Sequence, residues 1–214
     1  MTKSIVFDLD GTLIHSSPDL QAAANKMLAD YGLAPLDMAT IESFIGNGVP
    51  KLVERCLRVY KKPLTEEAVD KMRDYYDADP FTLTAPYEGV VACLDALKAA
   101  GLKLAICTNK PVAPALTILD GLNLTKYFDV VVGGDTYSTH KPDPEPLLGC
   151  MEKMGADIAN TIYVGDSETD ALTAKNADMS FALFSGGYRK TPCKDLRHHF
   201  LFDNFAALTP YLKG

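Results

Sequence analysis

The chain lacks any apolar run long enough to cross a membrane, which takes about 20 residues, so no membrane partner is expected. It also lacks a basic patch. Its 21 Lys and Arg are scattered among 28 Asp and Glu, for a formal net charge of −7. That distribution excludes a protein built to neutralise nucleic-acid phosphates or an anionic membrane surface. There is no C-x-x-C pair; Cys56, Cys93, Cys107, Cys150 and Cys193 are odd in number and widely spaced. Several sit in apolar runs, as small core residues in a reducing cytosol do, and no disulfide framework is expected. The opening seven residues carry one lysine and a short apolar run that meets aspartates, unlike a secretory signal. A cytoplasmic protein is expected, as a monomer or a homodimer. Repeats, low-complexity tracts and long linkers are absent as well.

What is there is ordinary for a globular chain. It has 214 residues, 47% hydrophobic and 23% charged, enough for one large domain or a domain with a smaller insertion. Short apolar, β-rich runs recur at Ser4–Phe7, Lys103–Cys107, Val130–Val132, 161–164, Ser180–Phe184 and Phe200–Phe202. Each of the first five is followed by a stretch with helical periodicity. Continuous rather than alternating apolar runs suit strands covered on both faces. Strands alternating with helices predict an α/β fold with a doubly wound parallel sheet, whose ligands bind beyond the carboxyl ends of the strands.

One interval breaks the alternation. Residues 17–79 show helical segments only. A first runs from Ser17-Pro18 to Gly32, and a second from an Asp37 cap to Gly46. A third runs from Gly48 to Pro63, and a fourth opens at Thr65 with Glu66 and Glu67 in its first turn. A crossover usually carries one helix, so four read as an inserted four-helix cap domain. The expected division is a core of 1–14 and 86–214 and a cap of 15–85, with hinges at 14–17 and 83–86.

Four polar clusters stand at predicted strand ends. The first is Asp8-Leu9-Asp10-Gly11-Thr12-Leu13. Acids two apart project to one side of an extended backbone, where their repulsion calls for a shared cation, and magnesium suits a few carboxylates and a phosphate oxygen. The second is Thr108-Asn109-Lys110-Pro111, a hydroxyl, an amide and a helix start able to hold phosphoryl oxygens. The third is Lys141 followed by two prolines, in Lys141-Pro142-Asp143-Pro144; fixed backbone there points to a positioned ammonium. The fourth is Gly165-Asp166-Ser167-Glu168-Thr169-Asp170, with Asp166 well placed for metal and Asp170 one turn later. Singly, each admits a plainer account. Asp8 and Asp10 could be turn residues, Thr108 a helix cap, Lys141 a solvated lysine, and Asp166 or Ser167 an N-cap. Four together, each at a strand end, are a far less accidental pattern. An acidic chain also needs such local positive charge before it can hold an anion.

In this order the clusters resemble the haloacid-dehalogenase-like hydrolase superfamily over essentially the whole chain. The resemblance implies that Asp8 is nucleophile and magnesium ligand. It makes Asp10 the general acid and base, which gives the metal its backbone carbonyl. Thr108 and Lys141 would bind the phosphoryl group, Asp166 would complete the metal ligands, and Asp170 would orient Lys141 or a metal-bound water. Asp10 sets the chain apart from the dehalogenases and phosphonate hydrolases, which lack a carboxylate there. The implied activity is a magnesium-dependent phosphatase for a small phosphorylated metabolite.

The opening motif is joined by Ser16-Ser17-Pro18-Asp19-Leu20, Ile45-Gly46-Asn47-Gly48, and Pro86-Tyr87 followed by Gly89-Val90. Together they resemble the phosphoglycolate phosphatase-like branch. The turn at Gly46, Asn47 and Gly48 could face a substrate anion, as could Asn109, or the turn could simply join two helices. Lys51 and Arg55 could line that face or be solvated. His15 and Glu88 depart from the branch, where an acid and a proline are common. Ser185-Gly186-Gly187-Tyr188-Arg189 reads as a flexible rim loop, and His198 and His199 as non-catalytic. A sugar-phosphate phosphomutase, a nucleotide or pyrophosphate phosphatase and an idle protein on this fold remain alternatives. A phospho-acceptor signalling domain would be shorter, with no cap and no acids after its lysine.

Overall fold

The structure, a computed structural model, describes residues 3–213. Met1, Thr2 and Gly214, at the ends of the expected core segments, lie outside the described residues. The elements in chain order are β1 (Ser4–Phe7), β2 (Ile14–His15), α1 (Ser17–Asp30), α2 (Met38–Glu42), α3 (Val49–Val59), α4 (Glu66–Asp77), β3 (Ala85–Pro86) and α5 (Val90–Ala99). They continue with β4 (Lys103–Cys107), α6 (Val112–Gly121), β5 (Val130–Val132), α7 (Glu145–Met154), β6 (Thr161–Gly165), α8 (Glu168–Asn176), β7 (Ser180–Phe184), β8 (Phe200–Phe202) and α9 (Phe205–Lys213).

Six strands form one parallel sheet in the order β5-β4-β1-β6-β7-β8. The α/β doubly wound reading therefore stands. Side chains alternate across the sheet. Ile5 and Phe7 pack into one core cluster with α5 and α9, whereas Val6, Ala105 and Tyr163 pack into the other with α7 and α8. Coverage of both faces is why these strands read as unbroken apolar runs.

Register brings the strand ends together. Phe7 pairs with Ile106 on one side and Val164 on the other. The residues that follow, Asp8, Thr108 and Asp166, therefore emerge side by side at the centre of the sheet. The amide of Asp8 donates to Val164 O at 2.8 Å and that of Thr108 to Val132 O at 3.0 Å.

Between β2 and β3 run the four helices α1 to α4, which bury Met27, Leu28, Ile41, Val53, Met72 and Tyr76 among themselves. Asp37 caps α2 through the Thr40 amide at 2.8 Å, and Thr65 caps α4 through the Ala68 amide at 3.2 Å. Two of these helices are shorter than the sequence predicts. Helix α2 stops at Glu42, where Phe44 N–H bonds back to Ile41 O, so 43–48 is a turn. Helix α3 ends at Val59 because Lys61 takes a left-handed conformation, φ 55°, and its amide and that of Lys62 close on Arg58 and Leu57.

The two predicted hinges are not open linkers. They pair as an antiparallel ribbon, Ile14 with Pro86 and His15 with Ala85. Buried Asp19, near the start of α1, accepts from Leu83 N–H (3.0 Å), Thr84 N–H (2.7 Å) and Thr84 Oγ1 (2.7 Å). One carboxylate thus ties the second crossing to the first. Helix α9, which the strand-helix pattern does not include, follows β8 and stacks Tyr211 on Phe200 with ring centres 4.1 Å apart.

Candidate active site

Lys141 lies at the centre. It is 5% exposed, and its three N–H groups reach Asp8 Oδ1 (2.7 Å), Asp170 Oδ1 (2.7 Å) and the Tyr163 hydroxyl (2.8 Å). An ammonium has three donors, so none is left over. Burial opposes its charge, but Asp170 and Asp8 outweigh that and hold the ammonium charged. The solvated-lysine account is excluded.

Asp170 serves the lysine. Its Oδ1 also accepts from Tyr163 at 2.7 Å, and its Oδ2 from the Ser167 amide (3.1 Å) and hydroxyl (2.6 Å), closing the capping box of α8. Burial would raise its pKa, but Lys141 and these bonds bring it below the usual carboxylate value. A carboxylate offers about four lone-pair sites, and all four are engaged.

Asp8 and Asp166 are different. Carboxylate oxygens of Asp8, Asp166 and Asp170 lie within 4.8 Å of one another. Asp166 accepts one bond per oxygen, from Thr12 Oγ1 at 2.8 Å and Tyr188 N–H at 2.6 Å. Burial, then the charges of Asp170 and Asp8, push its carboxyl well above the usual range. Burial likewise pushes Asp8 up to about 7 despite Lys141. Three buried carboxylates face one ammonium here, so the cluster is short of positive charge. Oxygen donors with open lone pairs on Asp8 and Asp166 fit a hard divalent cation such as magnesium. Asp170 does not have that spare capacity.

Asp10 has two supports that the sequence reading did not identify. Ser16 Oγ donates to its Oδ1 at 2.6 Å, and Lys110 Nζ lies 3.1 and 3.0 Å from its two oxygens. Lys110 is buried and also donates to the Tyr76 hydroxyl of α4 at 3.0 Å. Burial works against its charge, and Asp10 and Tyr76 more than restore it.

Thr108 is 3% exposed, and its Oγ1 accepts from Lys110 N–H at 3.2 Å, leaving its own proton to donate. Two positions at the start of α6 have no amide to offer a phosphate. The Val112 amide goes to Asp135 Oδ1 at 2.8 Å, and Pro111 has no N–H. Asn109 is likewise engaged by protein. Its side-chain oxygen accepts from Lys141 N–H (3.0 Å), and its Nδ2 donates to Lys141 O and Gly46 O, both at 3.1 Å. It therefore clips the lysine loop to the insert. Gly133 and Gly134 allow the β5 loop beneath it, since a Cβ at Gly134 would meet Asn109 O at 2.4 Å.

Gly46, Asn47 and Gly48 rest over that same loop, through Gly46 O and through Gly48, whose Cβ would stand 3.9 Å from Asn109 O. Arg55 braces the turn, donating to Phe44 O and Asn47 Oδ1 at 2.7 Å each, while Lys51 pairs with Glu54 on the surface. His198 and His199 bond locally, to Leu196 O and the Phe181 amide.

The 185–189 loop is not a loose rim. Tyr188 is buried, and its hydroxyl accepts from Ser17 N–H and meets His15 Nδ1, both at 2.9 Å. It thus joins Asp166 to the ribbon. His15, Glu42, Tyr87, Glu88 and Tyr188 line a cavity of about 330 Å³ beside that ribbon.

The geometry agrees with what this chain is similar to. The model of the haloacid dehalogenase-like hydrolases matches residues 5–184. A phosphoglycolate phosphatase of Cereibacter sphaeroides is 44% identical over 98% of this chain and 97% of its own. One from Rhodospirillum rubrum is 40% identical, covering 99% and 91%. The crystal structure of a predicted phosphoglycolate phosphatase from Haemophilus somnus superposes with a TM-score of 0.91 at 31% identity, covering 98% and 97%. From its strand-end carboxylates to its full length, this chain belongs to the haloacid dehalogenase-like hydrolase family.

Proposed function

We propose that the protein is a phosphoric monoester hydrolase of the phosphoglycolate phosphatase type, dependent on magnesium and working through an aspartyl-phosphate. The observation that carries this reading is buried Lys141 held between Asp8 and Asp170, with Asp166 beside them. A carboxylate fixed against an ammonium, in a cluster short of positive charge, is arranged to receive a phosphoryl group.

Asp8 attacks phosphorus through a carboxylate oxygen. The ester P–O bond breaks, and Asp10 gives its proton to the leaving alkoxide. Asp10 then takes a proton from water, whose oxygen attacks the acyl phosphate and frees Asp8. Thr108 donates its hydroxyl proton to a phosphoryl oxygen, and Lys141, its bond to Asp8 released as that carboxylate is phosphorylated, turns the freed N–H to another. Magnesium, on Asp8, Asp166 and the Asp10 carbonyl, supplies Lewis-acid charge stabilisation when bound. Asp170 fixes Lys141 and takes no direct part. Residues 15–85 act as a cap on a core of 1–14 and 86–214, limiting water over the site. Gly46, Asn47 and Gly48 line the cap side, with Asn109 as their contact.

The named activity of relatives 44% and 40% identical supports phosphoglycolate as substrate. Among the described residues no helix is long and apolar enough to cross a membrane. The buried thiols of Cys56, Cys107 and Cys150 suit the cytoplasm. The test is phosphate release with magnesium from phosphoglycolate, hexose phosphates, nucleoside monophosphates and pyrophosphate. Phosphoglycolate should give the highest kcat/KM. Isomerisation of a sugar phosphate without phosphate release would instead establish a mutase.

A further inference from the structure

We propose that Lys110 is a positioning residue, a clasp that holds the Asp10 carboxylate of the core and the Tyr76 hydroxyl of the helical insert together. Asp10 is then fully supported only while the insert is closed on the core. This rests on the reading of Asp10 as the group that moves the proton.

The geometry is that of a shared donor. Lys110 Nζ lies 3.1 and 3.0 Å from the two Asp10 oxygens and 3.0 Å from Tyr76 Oη, and 4.8 Å from the centre of the Tyr76 ring. Lys110 and Tyr76 are buried, at 9% and 3% exposure. Lysine is rarely buried without a partner, and an apolar side chain of similar volume would often stabilise such a place as well or better. Its neighbour Asn109 reaches the insert as well, through Gly46 O. One loop therefore receives both contacts. Ser16 Oγ, at the foot of the ribbon, supplies the remaining bond to Asp10. If the insert swings away, Tyr76 leaves and the lysine, on a flexible four-carbon stem, loses the anchor that fixes it. Asp10 keeps Ser16 and a lysine that is no longer held in place from the insert.

The experiment measures kcat and KM on phosphoglycolate, whose alkoxide leaves poorly, and on an activated aryl phosphate. The variants are Asp10→Asn, Lys110→Met, Tyr76→Phe and the Lys110→Met/Tyr76→Phe double. A catalytic group misplaced by about 1 Å can cost on the order of 100-fold. Lys110→Met should lose about that in kcat on phosphoglycolate and under about 5-fold on the aryl ester. Tyr76→Phe should lose about 5-fold in the same selective sense, and adding it to Lys110→Met should cost nothing more. Equal losses on both esters for Lys110→Met, or additive losses in the double, overturn the clasp. Asp10→Asn separates the two ideas. If its own losses are unselective, the reading of Asp10 fails and the clasp with it; if they are selective while those of Lys110→Met are not, only the clasp falls. Should Lys110→Met not fold, Tyr76→Phe decides alone, since it keeps the ring and removes one bond.

Discussion

The backbone N–H of Tyr188 lies 2.6 Å from Oδ2 of Asp166, in a place where no side chain fits between the two segments. A Cβ on the preceding Gly187 would stand 2.3 Å from both Asp166 Oδ2 and Gly11 O. The position of a proposed metal ligand is thus set by a close backbone approach from a loop after β7.

Gly187→Ala should therefore displace Asp166. Groups that orient metal ligands typically matter about 10- to 100-fold in affinity, and a rise of that order in the magnesium needed for half-maximal activity is expected. Tyr188→Phe keeps the amide and removes only the hydroxyl on Ser17 and His15. It should lower stability by about 1 kcal/mol and leave magnesium affinity within a few-fold. Calorimetric magnesium titrations of both variants test the contrast. Equal effects would show that the close approach is not what sets Asp166.

Much of this was legible in the sequence because it depends on local order. Unbroken apolar runs gave the six strands, and a polar cluster after each central strand gave Asp8, Thr108 and Asp166. What was not legible depends on pairings across the chain. Asp19 meets Thr84, Lys110 meets Asp10, and Tyr188 meets both Asp166 and Ser17. No residue periodicity carries such information. Lys110 stood inside a motif already singled out, yet its partners come from the β1 loop and α4. The Gly186-Gly187 pair did signal a tight backbone, but its requirement is packing on Asp166 rather than mobility. Helix α9 was hidden by Pro210 within it and by its two-residue distance from β8.

Asp8→Asn should abolish turnover, by more than about 1000-fold in kcat, because no other group is placed to form the covalent intermediate. The fold should persist. Asp8 is the third carboxyl of a buried cluster, so its neutral isostere removes a source of repulsion while Lys141 keeps Asp170. Acid-quenched enzyme should carry no acyl phosphate. Turnover near that of the parent enzyme would refute the nucleophile assignment.

Asp19→Ala should destabilise the protein by about 3 kcal/mol, since the Leu83 and Thr84 amides and the Thr84 hydroxyl lose one common acceptor in a buried place. Denaturant unfolding measures this. Asp19 touches none of the phosphoryl-transfer residues, so activity should fall through the hinge. A cost below about 0.5 kcal/mol, the level of an ordinary surface change, would mean that the β2-β3 ribbon alone holds the crossing.

Magnesium should stabilise the protein more at about pH 8 than at about pH 5. In the metal-free protein burial raises Asp8 from an ordinary 3.8 to about 7, and burial with Asp170 and Asp8 raises Asp166 in the same direction. A carboxyl with a higher pKa folded than unfolded binds protons preferentially in the folded state. Stability from Asp8 is therefore greatest below the ordinary value and is lost as pH rises through about 7, and Asp166 acts in the same direction. Asp170 has the opposite sign. Its lowered pKa contributes stability above the ordinary value of 3.8, lost only as pH falls through its folded pKa. The two windows are thus separate. A cation that takes the place of the Asp8 proton competes with it at about pH 5 and meets Asp8 ionised at about pH 8. Thermal unfolding at the two pH values, with chelator and then with excess magnesium, reads the difference directly. A shift in Tm that is equal, or larger on the acid side, would mean that Asp8 and Asp166 do not share the ion.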